Sequence, residues 1–102
     1  MAWYVISYDI KKTTQDPHSE FLNQADSVGW KVWVYSGTVK KWYRLPNTTL
    51  VGAFANRDAA LKAFKNAIAS TSKALGIAVT VEKFFLSACA STLFNSDVIV
   101  DD

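Results

Sequence analysis

The sequence predicts an α+β fold in which one antiparallel sheet carries two helices on a single face. Three observations lead there. The chain has 102 residues, of which 50% are hydrophobic and 14% aromatic, enough for one compact core and too little for two. Runs rich in β-branched and aromatic residues alternate with two segments of helical periodicity, in the order strand, helix, strand, strand, helix, strand. The most apolar runs, "WYVISYDI" and "TTLVGAFA", are the first and third strands of that order, where a central strand covered on both sides is expected.

Residues 2 to 10 alternate Trp3, Val5, Ser7 and Asp9 with Tyr4, Ile6, Tyr8 and Ile10, so both faces of this strand are largely apolar. One face is expected to meet helices and the other a partner chain or a folded-back tail. After a polar loop, Asp16 and Pro17 read as a helix N-cap followed by proline at the first helical position. Phe21, Ala25 and Val28, with Leu22 beside them, give a helix of about three turns that Gly29 terminates. Residues 30 to 47 are dominated by aromatic and β-branched types and stopped by Pro46-Asn47. They predict one long strand or two short ones, with Ser36-Gly37 as the place for a bulge, a bend or a tight turn. Residues 48 to 55 return as a strand, and the short Pro46-Asn47 link favours an antiparallel hairpin.

The second helix starts at the cap Asn56, carries Leu61, Phe64, Ile68 and Leu75 on one stripe and ends at Gly76. Lys62, Lys65, Asn66 and Lys73 fall on its solvated side. Ile77, Val79 and Val81 alternate with Ala78, Thr80 and Glu82 in a last core strand that reaches about Leu86. The remaining tail offers Val98-Ile99-Val100, between acids, as one short extra strand. A single domain over 1–102 follows, with its core in about 2–87 and a tail over 88–102.

This order of elements is that of a ferredoxin-like sandwich, β-α-β-β-α-β, with an extra C-terminal strand. Its open sheet face needs cover, and a homodimer sharing that face is the expected solution. The net charge is +2, so attraction to nucleic acid has to come from local clustering of Lys and Arg. A single cysteine, Cys89, excludes an intrachain disulfide, and the opening residues lack the basic start and cleavage site of a secretory signal. A cytoplasmic setting is expected. No apolar run approaches the roughly 20 residues that span a bilayer, so no membrane partner is expected. Asn47-Thr48-Thr49 reads as turn chemistry rather than a glycosylation acceptor.

Asp9 is the sharpest candidate for chemistry. A carboxylate repeated by twofold symmetry could hold Mg²⁺ through oxygen ligands, and the ion would activate water and steady phosphate charge. The competing reading is a strand-end residue that accepts hydrogen bonds from the following loop. His18, the only histidine, lies close to Asp16 and Glu20, a general-base or metal pattern. Helix capping by Asp16 and the favourable placement of acids at a helix N-terminus explain the same residues. Cys89 has no second cysteine for a redox pair and no histidine nearby in sequence.

Between Trp30 and Arg44 the chain holds Trp30, Trp33, Tyr35, Trp42 and Tyr43 with Lys31, Lys40, Lys41 and Arg44, and no acid. Basic groups draw phosphate and exposed rings on a sheet stack bases, as in sheet-based single-strand binders. Alternatively, about half the rings are core and the lysines protect an edge. The candidate nucleic-acid contacts are Lys31, Trp33, Tyr35, Lys40, Lys41, Trp42 and Arg44. Exposure of Lys31, Trp33 and Tyr35 on one face favours binding, and burial of all three tryptophans of the stretch argues against it.

The run "YVISYDI" at residues 4 to 10 resembles the first strand of the small CRISPR-associated adaptation proteins that partner the integrase, and of their VapD-like and SinR-like relatives. In that family a comparable apolar strand ends in an Asp near the dimer axis. The Asp residues of two protomers are proposed there to bind a divalent metal for phosphodiester hydrolysis, and Asp9 is the matching position. A short last strand that joins the partner's sheet is also common in the family, and "DVIVD" at 97 to 101 looks similar. The resemblance covers the first strand and the order of elements; "GWKVWVYSGTVKKWYRLPN" and "TVEKFFLSACA" depart from it.

Two functions therefore compete. One is a non-catalytic homodimeric module that binds nucleic acid, a protein or a small ligand through its aromatic and basic strand, with Asp9 purely structural and no cofactor required. The other is a metal-dependent phosphodiesterase or endonuclease with Asp9 from both chains, Mg²⁺, and Lys40, Lys41 and Arg44 as phosphate contacts. The first is favoured because it needs fewer unseen residues.

Overall fold

The computed structural model describes residues 1–90 and 92–101; Ser91 and Asp102 of the expected tail lie outside the described residues. Its elements are β1 (Ala2–Ile10), α1 (His18–Ser27), β2 (Trp33–Ser36), β3 (Lys41–Arg44), β4 (Thr49–Phe54), α2 (Arg57–Leu75), β5 (Val81–Ala88) and β6 (Ile99–Asp101). They make an α+β fold of two helices and two small antiparallel sheets, β4-β1-β5 and β2-β3-β6. The order differs from β-α-β-β-α-β plus one strand, because residues 33 to 44 fold as a hairpin of their own.

The first sheet builds the core. Tyr4, Ile6 and Tyr8 of β1 are buried together with Leu50 and Phe54 of β4. Phe21 and Ala25 of α1 and Ala60, Phe64 and Ala67 of α2 complete the same cluster. Phe21 stands edge-on to Tyr8 and Phe64, with centroids 5.0 and 5.7 Å apart, the geometry that aromatic quadrupoles favour, and Tyr8 and Phe64 meet tilted at 5.7 Å. Position 52 has to be glycine. A Cβ there would stand 2.5 Å from the Gly29 carbonyl oxygen and 2.7 Å from the Phe54 ring, so the chain leaving α1 crosses close to β4 only over a bare backbone.

The Asn56 Oδ1 accepts from the Ala59 N–H at 2.8 Å and caps α2 as expected. At α1 the cap position is Pro17 rather than Asp16 and carries no side-chain cap bond, although the Asp16 Oδ1 accepts from the His18 N–H at 2.9 Å just ahead of the helix. Gly29 and Gly76 follow the helices with φ of +103° and +67°. The buried stripe of α2 differs from the expected one. It is Ala60, Phe64, Ala67 and Thr71, one residue round from Leu61, Ile68 and Leu75, which are half-buried. Small side chains let the helix backbone lie close to the core, and the leucines flank that contact. Thr71 disposes of its hydroxyl by donating to the Ala67 carbonyl at 2.7 Å.

Two strand expectations are corrected. β5 begins at Val81 rather than Ile77, because Ile77 and Val79 donate their N–H groups to Ser72 at the end of α2, at 3.3 and 3.0 Å. The hairpin expected across Pro46-Asn47 does not form. The segment before it reaches β4 through Lys31, whose backbone exchanges bonds with Val51 at 2.8 and 2.9 Å. β3 pairs instead with β2 and β6, and the Arg44 N–H donates to the Val98 carbonyl at 3.0 Å. Both edges of β3 are thus occupied, and Pro46 has no N–H to continue a ladder. β4 is central only at the Lys31 bridge.

The other face of the first sheet carries Trp3, Val5, Ser7 and Asp9, with Val51, Lys83 and Phe85 among their cross-strand neighbours. Trp3 is 56% and Phe85 71% exposed. The tail folds back at the Trp3 end, where the Cys89 N–H donates to the Trp3 carbonyl at 2.9 Å, and further on Phe94 lies edge-on to Tyr43 at 5.4 Å. Among the described residues no helix is long and apolar enough to cross a membrane.

Candidate functional site

Register in the second sheet sorts the aromatic stretch into two faces. Trp33 is opposite Arg44 and Tyr35 opposite Trp42, so these four share one face, while Val34 and Tyr43, with Ser36 and Lys41, take the other. Tyr35 and Trp42 have ring centroids 4.9 Å apart. The Arg44 guanidinium sits 5.9 Å from the centre of the Trp33 ring, within cation–π range.

A cleft of about 770 Å³ runs between the open face of the first sheet and the second sheet. Trp3 and Val51 of the first sheet border it together with Trp33, Tyr35 and Trp42 of the second, and the tail contributes Cys89 and Phe94. Lys31 stands at its rim. A second hollow of about 380 Å³ is bordered again by Lys31, Trp33 and Trp42, with Asp26 and Val100. The two tryptophans therefore divide neighbouring spaces instead of filling the core.

The expected contact residues separate by chemistry. Trp30 belongs to the core: it is fully buried and its Nε1–H donates to the Ala60 carbonyl at 3.2 Å. Trp33 and Trp42 are half-buried and Tyr35 is exposed, and all three reach the cleft together with exposed Lys31. The basic groups are less available. The Lys31 Nζ pairs with Asp26 at 2.9 Å and Lys41 pairs with Asp101 at 3.1 Å. Arg44, besides lying over Trp33, donates to the Val32 carbonyl at 3.4 Å. Lys40 is exposed at the β2–β3 turn with φ of +61°. Trp3, Cys89 and Phe94 were absent from the expected set. The alternation of β1 put Trp3 on one of two largely apolar faces without saying which was uncovered, and nothing local marked Cys89 or Phe94. Burial pushes the Cys89 thiol above its ordinary pKa.

Asp9 lies one residue before the end of β1, exposed on the open face and in register with Lys83. The register shifts between Asp9 and Ile10, leaving Glu82 of β5 as the extra residue of a bulge. Asp9 borders a hollow of about 590 Å³ that also brings in Asp16, His18, Lys11 and Lys12, so the Asp9 and Asp16–His18 candidates border one space. Among the described residues no group of three or more His, Cys, Asp and Glu side chains is placed to hold a metal ion. Tyr8, next in the chain, has a buried hydroxyl with no hydrogen-bond partner among the described residues. Burial pushes its pKa up to about 12, with the positive charge of Arg44 acting in the opposite direction.

No protein-family model, no curated protein and no solved structure matches the chain.

Proposed function

We propose that the chain is a small homodimeric module with a ferredoxin-like core that binds nucleic acid through its aromatic cleft, in a cytoplasmic setting. The observation that carries this reading is the convergence of Lys31, Trp33, Tyr35 and Trp42 on one cleft, accessible rather than sunk in the core. The ferredoxin-like part is supported by β1 lying between β4 and β5, with the Lys31 bridge on the far side of β4. The β2–β3 hairpin and β6 then elaborate its second strand. Dimerisation is assigned to the Ser7–Phe85 end of the open face, where Phe85 is 71% exposed, leaving Trp3 to the cleft.

Fluorescence anisotropy with labelled single- and double-stranded RNA and DNA tests the binding reading against Trp33→Ala and Trp42→Ala. Loss of one stacked base should weaken binding by roughly 5-fold or more. Equal binding by the variants, or no binding by the wild type, rejects it.

A second reading, favoured by the hollow that Asp9 shares with Asp16 and His18, is a metal-dependent phosphodiesterase related to the CRISPR-associated adaptation proteins. Asp9 and its counterpart in a second copy would hold Mg²⁺, which would supply an activated water. Labelled RNA and DNA are incubated with wild type or Asp9→Asn in Mg²⁺, Mn²⁺ or chelator. Cleavage that needs both metal and Asp9 supports this reading, and its absence leaves the binding module.

A further inference from the structure

We infer that the cleft is a stacking slot for unpaired nucleobases, bordered by Trp3 of the first sheet together with Trp33 and Trp42 of the second, and that phosphate contacts add little to its affinity. This rests on the nucleic-acid reading of the same cleft and narrows it to a ligand class and a mode of binding.

The walls come from different sheets. Trp3 is exposed by 56% on β1 and borders the same cleft as the β2–β3 rings, so both sheets contribute aromatic surface to it. The volume of about 770 Å³ lies in the range of ordinary small-ligand sites, room for a few rings. Every nucleobase has a π-face, and unpaired bases splay out to stack on Trp, Tyr and Phe. A duplex keeps those faces inside its own stack and offers base edges and phosphates.

Charge points the same way. Among the described residues no acid borders the cleft and Lys31 is its one cation, which suits an anionic strand or nucleotide. Lys31 is already shared with Asp26, Lys41 with Asp101, and Arg44 is engaged by Trp33 and Val32. A duplex binder needs a basic surface that tracks phosphates; this cleft has rings and one partly neutralised cation.

The test is a titration of the 102-residue chain with labelled oligothymidine and oligouridine, a hairpin duplex, and nucleoside monophosphates as competitors, over a series of KCl concentrations. For single strands log K falls by about 0.7 per decade of salt for each phosphate neutralised, so Lys31 alone predicts a slope near −0.7 and engagement of Lys31, Lys40, Lys41 and Arg44 one of about −3. Single strands should bind well above the duplex with the shallow slope. Trp3→Ala should weaken binding by roughly 5- to 100-fold, Trp3→Phe should restore most of it, and Asn66→Ala on the solvated face of α2 should change nothing. Monophosphates competing as strongly as oligomers would assign the slot to free nucleotides and weaker competition to a strand; both outcomes keep the stacking chemistry. Duplex binding as tight as single-strand binding, a slope near −3, or a neutral Trp3→Ala overturns the slot while the broader nucleic-acid reading stands. Failure of every nucleic acid to bind removes both.

Discussion

Tyr8 places a hydroxyl where Phe21 and Phe64 supply only rings, and no described residue accepts its proton. A buried hydroxyl without a partner costs free energy that a phenylalanine of the same shape does not incur. Tyr8→Phe should therefore leave the fold intact and raise stability by about 1 kcal/mol, read from urea unfolding. The same substitution changes the response to alkali. The unfolded chain ionises this phenol near 10.0, whereas the folded chain keeps it protonated to about 12. Between those values the unfolded state has released a proton that the folded state retains, so stability falls as pH rises through the window. Tyr8→Phe should remove that part of the fall, as seen in urea midpoints measured from pH 9 to pH 12. Alternation grouped Tyr4, Ile6 and Tyr8 on one face of β1, but that this face is the core, and that the Tyr8 hydroxyl lacks an acceptor there, depended on what two helices brought to it.

Helices and strands were legible to different depths because their hydrogen bonds close over different distances. The start of α2 is set by Asn56 and its end by Gly76, signals that lie within a turn of the backbone groups they satisfy. The partner of β3 is set by which strand arrives at its edge, and the one that arrives is β6, from the other end of the sequence. No local signal in residues 41 to 44 distinguishes that outcome from a hairpin with β4. The second sheet also buries less: Ile99 and Val100 are 43% and 44% exposed, against none for Ile6 and Leu50. Its Lys41–Asp101 pair is solvated, and such pairs contribute about 0–1 kcal/mol. Native-state hydrogen exchange should accordingly find the amides of β3 and β6 opening well below the global unfolding free energy, with β1 and β4 exchanging only through it. Equal protection across both sheets would contradict this division.

At the scale of the whole molecule, one side of the first sheet is closed by helices and the other is shared between the cleft and the Phe85 end. The sequence indicated that this second side needed cover and named both a partner chain and a folded-back tail. It could not show the tail occupying only the Trp3 end, because that follows from where β6 docks. If a second copy covers the remainder, sedimentation of the wild type should give a dimer, and Phe85→Asp should give a folded monomer with an unchanged circular-dichroism spectrum. A wild-type monomer at all concentrations would remove the homodimer from the proposal. The candidate site was legible in its aromatic half, since Trp33, Tyr35 and Trp42 do converge, and least so in its charges. Asp26 and Asp101, which pair with Lys31 and Lys41, both lie outside the acid-free stretch that drew attention to it.

The long reach from β3 to β6 also orders events in time. Translation delivers residues at about 5–20 per second, so a nascent chain holds the Trp33–Trp42 hairpin for seconds before residues 99 to 101 exist to pair with it. During that interval the tryptophans have neither Phe94 nor β6 beside them. Completion of the cleft should thus await residues 94 to 101, and a chain stalled before residue 94 should carry exposed rings without the tail beside them, a target for chaperones.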